Sequence, residues 1–355
     1  MRISKVIVKW YHENKRDLPW RKTESPYAIW ISEIILQQTR VIQGLDYYHR
    51  FIEKYPSVMD LARAPLDEVL KMWQGLGYYT RARNLHDTAK KIAFEHNGQF
   101  PRKFEELIKL KGIGTYTAAA IASIAFKEPV ALVDGNVSRV LSRIFGIHAP
   151  VNSPAGKRLF EQKAAEVLDP ASPDIHNQAM MELGALVCLP KNPDCTRCPL
   201  LHFCRAYTEG KTGLLPVKTG KIKLRIRYYN YLFIHDREYT YLKRRKGRDI
   251  WNSLYEFPLI ESDTLLDYKQ LLLTSDWHAL FGSVKVEVDP HPKTYKHQLT
   301  HQLLYCTFYR IRVDFKPDLP SGFKYIQIPL NHLSEYAVPR IIDKYLGNLK
   351  QDGTL

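Results

Sequence analysis

Four clustered thiols, two separated carboxylates and a Gly-x-Gly turn are the groups here whose types and spacing point to chemistry. Cys188, Cys195, Cys198 and Cys204 fall within one short loop stiffened by Pro190, Pro193 and Pro199. Four thiolates suit a structural zinc or an iron–sulfur cluster. Zinc ribbons usually carry two C-x2-C knuckles where this loop has one, so the spacing favours [4Fe–4S] over zinc, with unligated thiols as the third reading. The fifth cysteine, Cys306, lies in L-L-Y-C-T-F-Y and reads as a small buried residue. Disulfides are not expected in an intracellular chain.

Glu33 stands among Ile31, Ile34 and Ile35 in a run with helical spacing. On a solvated face it is an ordinary surface carboxylate. Facing a pocket, it would be desolvated, its pKa would rise, and it would serve as a general acid near neutral pH. Asp134 opens the run D-G-N-V-S-R (134–139) at a helix start, where capping alone explains an aspartate. Beside a cavity, the same helix terminus would keep it ionised at low pKa, which suits a developing cation. Together the two would form a split pair, one protonated and one charged, as glycosidic bond cleavage demands.

Gly112 and Gly114 join two helical runs. No strand precedes them, so a dinucleotide-binding loop does not fit. A hairpin whose glycines admit a close ligand, followed by a helix N-terminus, fits an anion such as a DNA phosphate. A plain tight turn between packed helices explains the glycines equally well. The formal net charge of +15 favours a polyanionic partner.

The 355 residues imply two or three domains. Helical periodicity covers 27–39, 58–73, 80–95, 104–111, 115–126, 136–144, 155–167 and 176–187, an all-α pattern. The stretch 206–221, rich in Gly, Thr and Lys, reads as a linker. Beyond it, 224–235, 283–289 and 303–313 carry strand signals, and helical runs near 263–280 and 337–346 make a mixed α+β second half. No apolar run approaches a bilayer span. The first ten residues do not read as a signal peptide, so an intracellular, cytoplasmic location is expected, nucleoid-associated in a bacterium.

Hairpin, aspartate and cysteine loop occur in one order that resembles the helix-hairpin-helix DNA glycosylase superfamily with its endonuclease III-type cluster. Within it, the chain closely resembles the adenine DNA glycosylases, which remove adenine mispaired with 8-oxoguanine. The resemblance covers nearly the whole chain. It rests on R-D-L-P-W-R (16–21), W-I-S-E-I-I-L-Q-Q-T (30–39), G-L-G-Y-Y-T-R-A-R (75–83), the hairpin, V-D-G-N-V (133–137), N-Q-A-M-M-E-L-G (177–184) and the cysteine loop.

The resemblance implies a multidomain architecture. An all-α core over 1–205 would comprise a six-helix lobe (about 26–133) and a [4Fe–4S] lobe built from 1–25 with 134–205. A linker (206–222) would lead to an α+β Nudix-like domain (223–348) that recognises 8-oxoguanine. Glu33 would protonate adenine at N7. Asp134 would stabilise the oxocarbenium-like sugar or bond to it transiently, and Asn136 would orient the site. Tyr116 and Glu182 match positions lining that centre, and Arg16, Trp20, Arg21 and Leu36 match the wall around the extruded base. Gln38 and Tyr78 match residues that enter the duplex, Gly112 and Gly114 the phosphate clamp, and Cys188, Cys195, Cys198 and Cys204 the cluster ligands.

The partner implied is double-stranded DNA with adenine opposite 8-oxoguanine or guanine, bound by a monomer and without a membrane. A Schiff-base lyase needs a lysine where Tyr116 stands, so monofunctional hydrolysis is expected. A non-catalytic DNA-binding protein with a cluster would leave Glu33 and Asp134 unexplained together. The family's aromatic–Ser–His loop reads Leu299-Thr300-His301 here, and Asn252 and Ser253 replace glycines ahead of L-Y-E-F-P (254–258). The hydrolytic Nudix pattern R-E-x-x-E-E is missing, so pyrophosphate hydrolysis is not expected.

Overall fold

Helix starts are chemically marked along the first two hundred residues. Ser25 Oγ accepts from Ala28 N (3.3 Å), Asp134 Oδ1 from Val137 N (2.7 Å) and Ser153 Oγ from Gly156 N (3.0 Å). Pro26, Pro154 and Pro173 occupy the first turn of their helices, where a missing N–H costs nothing. The computed structural model describes residues 2–220, 223–236, 238–282, 286–313 and 325–352. The chain divides into two compact units, Met1–Arg63 with Asn84–Gly220 and Ala64–Arg83 with Lys221–Leu355.

In the order of the chain, the helices begin with α1 (Arg2–Asn14), α2 (Pro26–Leu36), α3 (Val41–Lys54), α4 (Val58–Arg63), α5 (Leu66–Met72) and α6 (Thr80–Glu95). They continue with α7 (Phe104–Leu107), α8 (Thr115–Phe126), α9 (Gly135–Phe145), α10 (Pro154–Val167), α11 (Pro173–Leu186) and α12 (Arg205–Thr208). Of these, α5 and the first residues of α6 belong to the second unit. The helix expected over 58–73 is two, because Pro65 cannot continue a helix and biases its predecessor to extended backbone. The helix expected over 104–111 ends at Leu107, and the one over 27–39 ends at Leu36. α3 was not anticipated. Its buried stripe is Gly44, Tyr48 and Phe51, and a stripe that begins on glycine carries little apolar signal.

In the first unit α2 packs between α8 and α3, and α11 packs against α1, α8 and α9. Two long-range hydrogen bonds fasten α1 to α11: Tyr11 Oη donates to Gln178 Oε1 (3.2 Å), and Ser4 Oγ lies 2.8 Å from His176 Nδ1. Asn177 is buried on α11. It accepts from Leu132 N (3.1 Å) and donates to Val130 O (2.9 Å) and Ser123 Oγ (2.9 Å), which fixes the segment leading to Asp134.

The second unit is built on a mixed sheet. Its strands are β1 (Arg225–His235), β2 (Tyr239–Arg244), β3 (Tyr255–Glu256), β4 (Leu259–Ser262), β5 (Glu287–Val288), β6 (Lys293–Gln298), β7 (Gln302–Arg312) and β8 (Ile326–Pro329). The order is β3-β2-β1-β7-β5, with β4 on β1, β6 on β7 and β8 on β2. β1 and β7 run parallel with Tyr229 opposite Cys306. Tyr229, Tyr231 and Phe233 face a core closed by α15 (Arg340–Gln351), while Leu232 and Ile234 face one closed by α14 (Ser275–Phe281) and α13 (Tyr268–Leu272). Burial on both faces explains the near-continuous apolar run of β1. Cys306 is fully buried in the first of these cores. The expected strand over 283–289 is represented by Glu287–Val288, and its residues 283–285 lie outside the described residues.

Candidate active site

In the first unit a cavity of about 220 Å³ opens between α2, α8, the start of α9 and α11. Nine residues anticipated as catalytic or pocket-lining meet around it: Glu33 and Leu36 from α2, Tyr116 from α8, Asp134 and Asn136 at α9, Glu182 from α11, and Arg16, Trp20 and Arg21 from the segment after α1. The other nine lining residues were not anticipated, among them Ser32, Gln178 and Met181. Gln178 lies four residues before Glu182 on α11, so helical spacing from Glu182 could have found it, and Met181 lies three residues beyond Gln178.

Glu33 is buried, and Tyr116 Oη donates to its Oε2. Loss of water pushes its carboxyl up to about 7; the Tyr116 hydrogen bond and Arg21 oppose this, and the nearby Asp134 charge adds to it. Asp134 combines two jobs. Its Oδ1 caps α9 through Val137 N, and its Oδ2 accepts from Asn136 Nδ2 at 2.8 Å. The sequence suggested a carboxyl below the ordinary range. Here the direction is reversed: burial outweighs the hydrogen bonds from Val137 and Asn136 and raises it.

Glu182 has no exposed surface and is gripped by two arginines. Arg16 donates from N and Nε to Oε1 (2.9 Å each) and from a terminal nitrogen to Oε2 (2.6 Å), while Arg21 donates to both oxygens (2.9 and 2.6 Å). Burial alone would raise this carboxyl, but the hydrogen bonds from Arg21 and Arg16 hold it at about 2. Glu182 is thus charged at neutral pH, and its hydrogen bonds hold both arginines at the cavity wall. Trp20 is buried edge-on against Tyr48, with ring centroids 5.2 Å apart.

Asn136 is itself positioned. Arg139 donates to Asn136 Oδ1 (2.8 Å), to Gly184 O (2.7 Å) and, through Nε, to Cys188 O (2.7 Å). A Cβ on Gly184 would stand 2.6 Å from Asn136 Cβ, so only glycine leaves Asn136 its place. Next to Cys188, the buried Arg143 donates to Cys188 Sγ (3.3 Å) and to Leu189 O (2.7 Å).

All four clustered cysteines line one small cavity with Arg143 and carry free thiols. Burial pushes the Cys198 thiol up to about 11, helped by the charges of Cys188, Cys204 and Cys195, against a hydrogen bond from Leu200 N–H. Among the described residues no three His, Cys, Asp or Glu side chains form the shell of a single metal ion. Four sulfurs around one cavity, with an arginine directed at one of them, are a donor set of the kind an anionic thiolate-ligated cluster takes.

In the hairpin, Gly112 has φ +77°, and a Cβ there would lie 2.6 Å from Asn84 Cβ. Gly114 caps α8 without a side-chain hydrogen bond, and a Cβ on it would meet nothing within 4 Å. The protein itself therefore requires Gly112, whereas Gly114 borders open space. Gln38 is exposed just past α2 at φ +57°.

A model of the HhH-GPD superfamily of base excision DNA repair proteins matches residues 31–170, and one of the NUDIX domain matches 230–348. The adenine DNA glycosylase of Buchnera aphidicola subsp. Baizongia pistaciae (strain Bp) is 34% identical over 357 residues, covering 98% of this chain and 97% of that protein. The chain belongs to the adenine DNA glycosylase family. The adenine DNA glycosylase of Mus musculus is 46% identical over 224 residues, 61% of this chain and 44% of the mouse protein. A thermostable thymine-DNA glycosylase superposes with TM-score 0.54 at 29% identity, over 58% of this chain and 95% of that one. A non-covalent endonuclease III–DNA complex gives 0.51 at 26% identity, over 59% and 95%. The adenine DNA glycosylase family thus joins an endonuclease III-like helical core to a Nudix fold, as the resemblance implied.

The places where this family member departs from the expected pattern lie in the second unit. Leu299, Thr300 and His301 form the loop between β6 and β7, closed by Leu299 N to Gln302 O (2.8 Å). Thr300 and His301 are exposed, whereas Leu299 packs onto the core under α15. Tyr78, half exposed at φ +48°, lies with its Oη 2.7 Å from Thr300 Oγ1. Ser253, standing where a glycine was expected, has φ +70°, a conformation that glycine adopts without strain.

Proposed function

We propose that the protein is a monofunctional glycosylase that hydrolyses the N-glycosidic bond of adenine in duplex DNA and leaves an abasic site. The adenine stands opposite 8-oxoguanine or guanine. The observation that carries this reading is Glu33, buried beside Asp134 with its carboxyl raised to about 7. The names of the relatives and the likeness to a DNA-bound endonuclease III support it.

Adenine swings out of the duplex into the first unit's cavity, walled by Arg16, Trp20, Arg21 and Leu36. Glu33 gives its proton to N7, and the C1′–N9 bond breaks with its electron pair passing to the base, which leaves neutral. Asp134, held in register by Asn136, offsets the positive charge left on the sugar. Water then adds to C1′, and the proton it sheds restores the acid form of Glu33. Tyr116 orients Glu33 through its hydroxyl and has no amine with which to form a Schiff base.

The turn at Gly112 and Gly114 receives a backbone phosphate at the uncapped N-terminus of α8. Gln38 and Tyr78 enter the duplex, and Thr300 and His301 read the base opposite adenine. Cys188, Cys195, Cys198 and Cys204 would hold a [4Fe–4S] cluster, which serves structure and DNA engagement rather than bond cleavage. The enzyme works as an intracellular monomer. Among the described residues no helix is long and apolar enough to cross a membrane.

Single-turnover assays on duplexes with adenine opposite 8-oxoguanine, guanine or thymine, each with and without alkali, test the reading. Excision from the first two pairs and strand breaks only after alkali are expected. Breaks without alkali, in a preparation free of other nucleases, would refute the monofunctional assignment.

A further inference from the structure

A second cavity, of about 460 Å³, lies in the second unit and includes Tyr78, Trp251, Leu299, Thr300 and His301 in its lining. Its lining contains one carboxylate, Asp249. A carboxylate facing nucleic acid repels it unless the charge is matched. A buried arginine, Arg227, and a partly buried one, Arg245, match it. Arg227 donates to both oxygens of Asp249 (2.8 Å each), and Arg245 donates to Oδ2 (2.8 Å). Burial would raise the Asp249 carboxyl, but hydrogen bonds from Arg227 and Ile250 N–H, with the charges of both arginines, hold it at about 2.

Arg227 reaches further. It donates to both oxygens of Glu261 on β4 (2.6 and 2.7 Å) and to Gln302 Oε1 (3.2 Å). Gln302 is the residue directly after His301, and its carbonyl closes the Leu299–His301 loop. Asp249 lies two residues before Trp251, in a loop with three left-handed residues: Gly247 (φ +97°), Trp251 (+60°) and Ser253 (+70°). One guanidinium on β1 therefore ties the 247–253 loop to Gln302 at the foot of the Leu299–His301 loop, and both loops line the cavity. Its planar fork serves two carboxylates and an amide at once, which a lysine cannot do.

We propose that Arg227 is a positioning residue for discrimination of the base opposite adenine: paired with Asp249 and bonded to Gln302, it sets the separation and charge of the 247–253 loop and the Leu299–His301 loop. The proposal rests on the assignment of Thr300 and His301 to reading that base.

The test is the ratio of single-turnover excision rates for adenine opposite 8-oxoguanine and opposite guanine, measured at subsaturating enzyme for wild type, Arg227→Met and Gln302→Leu. Melting curves run in parallel. Both variants are expected to lower the ratio by about tenfold or more, the scale of losing a hydrogen bond to a charged group. General damage to the fold lowers both rates together and leaves the ratio in place. An unchanged ratio in folded Arg227→Met overturns the proposal; should that variant fail to fold, an unchanged ratio in Gln302→Leu overturns it. A wild-type ratio of one overturns the underlying assignment of the loop, and the proposal with it.

Discussion

Asn136 Nδ2 donates to Asp134 Oδ2 at 2.8 Å, while Val137 N holds the other oxygen of the same carboxylate. One residue is thereby both the cap of α9 and the cavity's second carboxylate, and its neighbour determines which way it faces. Replacing Asp134 with Asn preserves the size of the cap and removes the charge. Excision is expected to disappear in single-turnover assays, with duplex affinity retained in a filter-binding or anisotropy measurement. Surviving excision would refute the proposed mechanism.

In the proposed mechanism Glu33 governs the pH dependence. Above about 7 the acid form disappears, and the excision rate should fall about tenfold per pH unit. The same shift affects stability. Because the folded state binds this proton more tightly than the unfolded state, the contribution is fully present below about 4.5, declines from there and is lost as pH rises through about 7. Glu33→Gln should abolish excision and flatten that part of the stability profile, read by denaturant titration at several pH values.

Glu182 behaves in the opposite sense. Its carboxyl is held at about 2, so its contribution is present above about 4.5 and fades as pH falls toward about 2. Glu182→Gln leaves Arg16 and Arg21 without their anion and should destabilise the protein by about 3–5 kcal/mol. Urea melts at neutral pH measure this, and the difference from wild type should shrink in acid.

Gly184 offers a steric test of the same site. Gly184→Ala places a methyl against Asn136 and should cost about 1–3 kcal/mol of stability. Excision should suffer more than stability does, because the displaced Asn136 no longer orients Asp134. A variant with wild-type single-turnover rates would show that the position of Asn136 is unimportant.

Ser253 occupies the left-handed region, which penalises an L side chain by about 1 kcal/mol or more. Ser253→Gly removes that penalty but gains chain entropy in the unfolded state. A net stabilisation of up to about 1 kcal/mol is expected, detected as an upward shift in the unfolding midpoint.

Much of this protein is written locally. The cysteine spacing, the Gly-x-Gly hairpin, the cap at Asp134, and the strand runs of β1 and β7 depend on near neighbours, and each is visible in the sequence. Leu299, by contrast, packs into the core beneath its loop, a placement that its mismatch with the family's aromatic residue did not reveal. Short strands such as β4 and β8 escaped notice because they are defined by their pairing with β1 and β2, not by their own composition. The sequence by itself determined which chemical groups this protein has and the order in which they come. Tertiary structure alone decided that Glu33 is desolvated, that Asp134 rises instead of falling, and that Arg227 joins two loops. Desolvation, charge coupling and hydrogen-bond geometry depend on distances between residues far apart in the chain, which only folding sets.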